Sequence, residues 1–145
     1  YSFENCKDIS INKDFIITSL KKTANSHKDI IDISNYIKIG LTREITDKIE
    51  VAKSSVLYHI TDIGWSRNNF YNCLLLINEF LNLESINDLL NTVNNCFEKW
   101  IIVKNLVTKA LLFNDFKSYY EKMQKYLFLL DEEEKKVIDG LKSIK

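Results

Sequence analysis

The sequence of 145 residues contains no proline and only three glycines, Gly40, Gly64 and Gly140. Proline fixes φ and removes a donor, and glycine supplies the left-handed conformations that tight turns need. A chain this poor in both has few places to reverse direction, which favours long helices over a many-turned β fold. The remaining composition fits one folded domain, with 46% hydrophobic and 28% charged residues and zero formal net charge. That length buries a core without staples, and 2 Trp, 7 Tyr and 8 Phe are more aromatics than a disordered chain carries. Zero net charge also removes the usual argument for nucleic acid, whose binding draws on a basic excess that releases counterions.

The densest apolar stretch is residues 70–83, FYNCLLLINEFLNL. Its apolar positions are too many for a one-sided helix, and four of them are adjacent, so the pattern predicts a fully sheathed central helix. It is too short to span a bilayer, and Asn72, Asn78, Glu79 and Asn82 near its ends agree with that. No integral membrane span is expected.

Residues 1–12 read as a loosely held lead. A first helix is expected from Lys13 to Ala24, burying Phe15, Ile16, Leu20 and Ala24. Ser26 with Asp29 has the spacing of a capping box and opens a second helix, with Ile30, Ile33 and Ile37 inward and Ile31 on the flank, stopped by Gly40. Thr42 then caps a third, whose Ile45, Ile49, Ala52, Val56, Ile60 and Ile63 form a long amphipathic stripe closed by Gly64. Ser66 caps the central helix, and Ser85 with Asp88 opens the longest one, running through Trp100 to Leu111. Asn114 and Asp115 read as a break and a new cap before Phe116, Tyr119, Tyr120, Met123, Tyr126, Leu127 and Leu130. Asp131 starts a last helix, whose Glu132, Glu133 and Glu134 suit the positive end of a helix dipole in solvent. The expected architecture is an all-α single-domain bundle of about seven helices around a buried central helix at residues 66–83.

Chemistry-bearing motifs are sparse. His27 and His59 come with no HExxH or Cys/His spacing and suit surface or satisfied histidines. Cys6, Cys73 and Cys96 form an odd set without CxxC spacing; Cys73 and Cys96 lie on apolar faces and read as reduced core residues. There is no Gly-rich phosphate loop. No catalytic residue, metal ligand or cofactor is assigned, and a non-enzymatic binding module is expected. The aromatics Phe116, Tyr119, Tyr120 and Tyr126 recur at helical spacing, which fits a core stripe with a share available to a partner. Arg67 stands out because the chain uses 18 lysines and two arginines. At the head of an apolar helix its guanidinium opposes the dipole, and a carboxylate partner is expected.

Gly64-Trp65-Ser66-Arg67 resembles the BH1 motif of the Bcl-2 family, usually Asn-Trp-Gly-Arg. Upstream, Leu20-Lys21-Lys22-Thr23-Ala24-Asn25 resembles a BH3 stretch, and downstream Glu84-Ser85-Ile86 with Trp100 resembles the helix that follows the family's central hairpin. The likeness covers about residues 20–112 and includes divergent viral members. It implies a groove that takes the amphipathic BH3 helix of a death-signalling partner, so that apoptosis is inhibited by sequestration. The partner-binding set it implies is Arg67, Trp65, Val56, His59, Ile60, Phe70, Tyr119 and Tyr120, with Arg67 pairing the ligand's aspartate. A second resemblance runs through Leu41-Thr42-Arg43-Glu44-Ile45 and Trp100, Val103, Thr108, Leu111 and Leu112, which are similar to the helical domain of exported proteins of malaria parasites. It implies an adaptor for host-cell or cytoskeletal proteins. A cytosolic or host-cell location is expected under either resemblance, and a secreted or exported one if Tyr1 is a processed N-terminus.

Overall fold

The computed structural model describes residues 12–24 and 30–145. The expected lead up to Ile11, Cys6, His27, the Ser26 and Asp29 cap, and the side chain of Ile31 lie outside the described residues. Among those described there are five α-helices and no strand. The helices are α1 (Lys13–Ala24), α2 (Ile30–Thr46), α3 (Ser55–Leu81), α4 (Glu84–Phe113) and α5 (Phe116–Ser143), with a 3₁₀ turn at Val51–Lys53. No described helix is long and apolar enough to cross a membrane.

The central element is α4, which lies between α3 and α5 and packs along both, while α1 and α2 lie against α5 and the other long helices. Its sequence explains this position. Ile86, Leu89, Val93, Cys96, Trp100, Val103, Val107 and Ala110 are all buried at alternating steps of three and four, a seam of period 3.5. Leu90 and Leu111 are buried on one flank of the seam and Leu106 on the other, so α4 feeds two neighbours at once. The helix α5 repeats the device with Met123, Leu127, Leu130, Glu134, Val137 and Leu141, all buried, at the same alternating steps, and Ile144 just past its end is buried too.

The expected sheathed helix at residues 66–83 is overturned. Only Leu74 in the leucine run is fully buried, while Leu75, Leu76 and Phe80 are exposed and Cys73 lies in solvent. The stretch is the second half of α3, whose inward line runs Val56, Ile60, Gly64, Leu74. One side of an apolar helix is covered and the other is bare.

The expected seven helices are five because three stop signals do not stop and one break falls where none was expected. Gly40 lies inside α2 and Gly64 inside α3. Gly40 serves close packing, since a Cβ there would fall 2.7 Å from Val56 Cγ2, whereas one on Gly64 would meet Trp100 Cβ at an ordinary contact of 3.6 Å. Asp131, expected to begin a new helix, sits within α5 and pairs with Lys135 one turn on at 2.5 Å. Thr42 and Ser66 are likewise interior, the Thr42 hydroxyl donating to Lys38 O at 2.7 Å. The third helix expected from Thr42 is interrupted at residues 47–54, where Lys48 is left-handed with φ of 51°. Ser85 and Asp88 form no capping box, since the N-cap of α4 is Leu83 without a side-chain bond.

Several expectations hold. The bounds of α1 are as read, although Ile17 is buried where Phe15 was expected and Phe15 is exposed. Asn114 is the left-handed C-cap of α4, and Asp115 caps α5 by accepting from Ser118 N at 3.0 Å.

Candidate functional site

Among the described residues two charged groups are buried between helices, and both are acids. Glu44, at the end of α2, is 4% exposed and caps the start of α3. Its carboxylate accepts from Ser54 Oγ at 2.5 Å, Ser55 N at 2.8 Å, Ser55 Oγ at 2.7 Å and Val56 N at 3.2 Å. Ser54 Oγ in turn accepts from Leu57 N at 2.9 Å. An acid at a helix N-terminus satisfies orphan N–H groups and the dipole together. Burial pushes the Glu44 carboxyl up, but the bonds from Ser54, Ser55 and Val56 outweigh it and hold the group below its ordinary 4.5.

The second acid is Glu134, 3% exposed, in a core position of the α5 seam. Its Oε1 accepts from Arg67 Nε at 2.6 Å and from Trp100 Nε1 at 3.1 Å, so one oxygen joins α3, α4 and α5. The expected carboxylate partner of Arg67 is thus supplied from within the chain. The arrangement is a clasp: both donors are the protein's own, and the Trp100 ring that forms its wall is 1% exposed. Beside it the Cys96 thiol is pushed up to about 12, first by burial and then by the charge of Glu134. A thiol held that high stays protonated and unreactive at neutral pH.

The expectation that Glu134 is solvated is therefore corrected. The reason is phase: with α5 unbroken through Asp131, position 134 falls on the same line as Leu130 and Val137. An ionised residue in register with an apolar seam is the signal that locates this clasp in the sequence.

The residues expected to bind a partner do not share one surface. Val56 and Ile60 are in the core, and Phe70, Tyr119 and Tyr120 are half-buried against it. Tyr119 stacks on Phe113 with centroids 6.3 Å apart, and Tyr120 on Phe116 at 4.6 Å. His59 is exposed, edge-on to Tyr36 at 5.4 Å and Tyr58 at 5.8 Å. Trp65 is 59% exposed on the outer side of α3.

Trp65 has company on that side: Leu76 and Phe80, which the sequence pattern puts in the interior, and Tyr58, which it leaves unassigned. Tyr58 is 69% exposed, Leu76 58% and Phe80 66%, and at 100° per residue the four project from one side of α3, opposite Val56, Ile60 and Leu74. The row extends for about 33 Å at 1.5 Å per residue. Beside it, Ile60, Gly64, Trp65, Phe97, Ile101 and Lys104 line a shallow depression of about 60 Å³ between α3 and α4. Small-molecule sites run to roughly 300–1,000 Å³, so the depression is a notch for one side chain. Among the described residues no group of three or more His, Cys, Asp or Glu side chains converges as metal ligands would. No family model, curated protein or solved structure matches the chain.

Proposed function

We infer that this chain is a non-enzymatic helical interaction module that offers the outer side of α3 to an amphipathic helix of a partner protein. The observation that carries this reading is the bare row Tyr58, Trp65, Leu76 and Phe80. Contiguous exposed apolar surface marks interaction sites, and rigid aromatics with a polar handle are the side chains that most often dominate binding energy. A helix laid along the row would place one apolar side chain in the notch beside Trp65.

Two forms of the reading differ at Arg67. In the Bcl-2-like form, Arg67 exchanges Glu134 for the aspartate of a BH3 helix. In the adaptor form Arg67 keeps Glu134, and the row alone makes the contact; the short Arg67 to Glu134 pair favours this second form. Calorimetric titration with BH3 peptides and with an unrelated amphipathic helical peptide separates them. BH3 binding that Arg67→Ala weakens by about 1.5–3 kcal/mol, the loss of a charge-assisted pair, supports the Bcl-2-like form. No BH3 binding at high micromolar concentration removes that form and leaves the adaptor. Peptide affinities that Leu76→Asp and Trp65→Ala both leave unchanged would remove the row as a binding surface altogether.

A further inference from the structure

The exposed side of α3 has an internal symmetry. Tyr58 and Phe80 lie eleven residues to either side of Asn69, Asp62 and Leu76 seven, and Trp65 and Cys73 four, and every one of these residues is exposed. We propose that the helix seated on this row is α3 of a second copy, antiparallel, with a two-fold axis passing by Asn69. The proposal rests on the reading of this side of α3 as a binding surface, and it names the occupant.

In that register Tyr58 of each copy meets Phe80 of the other, and Trp65 meets Cys73. A two-fold contact must be self-complementary, because the same patch serves both partners. Here the aromatic ends of the row cover one another. At the axis two asparagines face each other, and Asp62 faces Leu76; a polar residue at the centre of a seam is a device that fixes register.

Area and charge agree with a second copy. Aromatic side chains bury about 150–250 Å² each. At the exposures of Tyr58, Trp65, Leu76 and Phe80, the row gives up roughly 400–500 Å² per copy. The pair then buries on the order of 1,000 Å², the threshold for a specific interface, before Asp62, Asn69, Asn72 and Cys73 are counted. Residues 54–98 hold none of the chain's lysines, and lysine is depleted where surfaces are buried on association. No acid meets its own mate, since Asp62 lies about 21 Å from its mate and Glu79 about 30 Å, although Asp62 faces Leu76 of the other copy and lies about 4.5 Å along the axis from that copy's Glu79, at 1.5 Å per residue. The zero net charge adds no long-range repulsion between copies.

Analytical ultracentrifugation and cross-linking test this together. The wild type is expected to sediment at twice the 17.0 kDa chain mass at tens of micromolar. Leu76→Asp, at an exposed position, is expected to keep its far-UV circular dichroism and to raise the dissociation constant about 100-fold, as for a central interface anchor. With Cys6 and Cys73 replaced by serine, Asn69→Cys is expected to form a disulfide-linked dimer on mild oxidation. Asp62→Cys is not, because bridged Cα atoms must approach within about 7 Å. A monomer at hundreds of micromolar, a dimer that Leu76→Asp leaves intact, or cross-linking at position 62 in preference to 69 would each overturn the proposal. If the protein is monomeric while Leu76→Asp still abolishes peptide binding, the second copy is wrong and the interaction reading stands; if neither effect is seen, both fall.

Discussion

Replacing Arg67 by alanine removes its guanidinium from Glu134 Oε1 and leaves the carboxylate at 3% exposure beside Trp100. Breaking a buried pair costs about 3–5 kcal/mol because the remaining charge is stranded. The Arg67 side chain is itself 24% exposed, so water can enter the vacated space and lower the penalty, and we expect Arg67→Ala to cost about 2–4 kcal/mol. The more discriminating comparison uses apolar replacements of similar size. Arg67→Met alone strands Glu134 and should also cost about 2–4 kcal/mol. Arg67→Met with Glu134→Leu removes both charges, continues the α5 seam, and should recover most of that loss or exceed wild type, as replaced buried pairs do by about 1–4 kcal/mol. Trp100 Nε1 then lacks its acceptor, a cost of about 1–3 kcal/mol that limits the gain. Urea unfolding followed by far-UV circular dichroism gives each free energy by linear extrapolation. A double variant less stable than Arg67→Met, or an Arg67→Ala loss below about 1 kcal/mol, would show that Glu134 is not a sealed charge and refute the clasp.

The glycines inside α2 and α3 should respond with opposite signs. Gly40→Ala drives a Cβ to 2.7 Å from the buried, β-branched Val56, and overpacking of about 1–3 kcal/mol exceeds the roughly 1 kcal/mol gained in helix propensity, so thermal unfolding should come earlier. Gly64→Ala meets only ordinary contact at 3.6 Å and should stabilise by about 0.5–1 kcal/mol; a later transition for Gly40→Ala would refute the close approach of α2 to α3. Because the Glu44 carboxyl is held below 4.5 when folded, its contribution is complete above that pH and is lost as pH falls through the folded value. The stability gap between wild type and Glu44→Gln, read from urea midpoints, should therefore narrow on acidification below 4.5, and a gap that widens there would invert the sign. Native protein carrying Cys6→Ser, diluted below the concentration at which copies pair, should react with a thiol reagent rapidly at exposed Cys73 and only on unfolding at Cys96, whose thiol is pushed up to about 12; prompt modification of both would contradict the burial of Cys96.

Local pattern reported faithfully where it and the tertiary contacts agree. The ends of α1, the Asn114 and Asp115 junction, and most of the buried line of α4 were readable because each depends on neighbours within a turn or two. Gly40 reads as a stop because a glycine needed for its missing Cβ looks the same, in one dimension, as one needed for its left-handed freedom; only the opposing Val56 distinguishes them, while Gly64 lies inside α3 with room for a Cβ. Cutting the chain at Asp131 hid the phase of Glu134, and with it the clasp. The run at residues 70–83 was read as interior because apolar residues on every side leave no preferred water-facing direction. Its bare side shows that hydrophobicity sets the tendency to be covered and does not say by what. The absence of lysine from residues 54–98 is the sequence feature that agrees with the proposed covering of that side.

The two tryptophans sit in opposite environments, Trp65 wet on the outside of α3 and Trp100 enclosed with its indole N–H on a carboxylate. The chain therefore carries two intrinsic optical labels, one whose emission follows whatever comes to rest on the surface and one whose emission follows the integrity of the interior. A soluble quencher distinguishes them without any added dye, so capture of a partner and loosening of the bundle can be followed as separate signals in one cuvette.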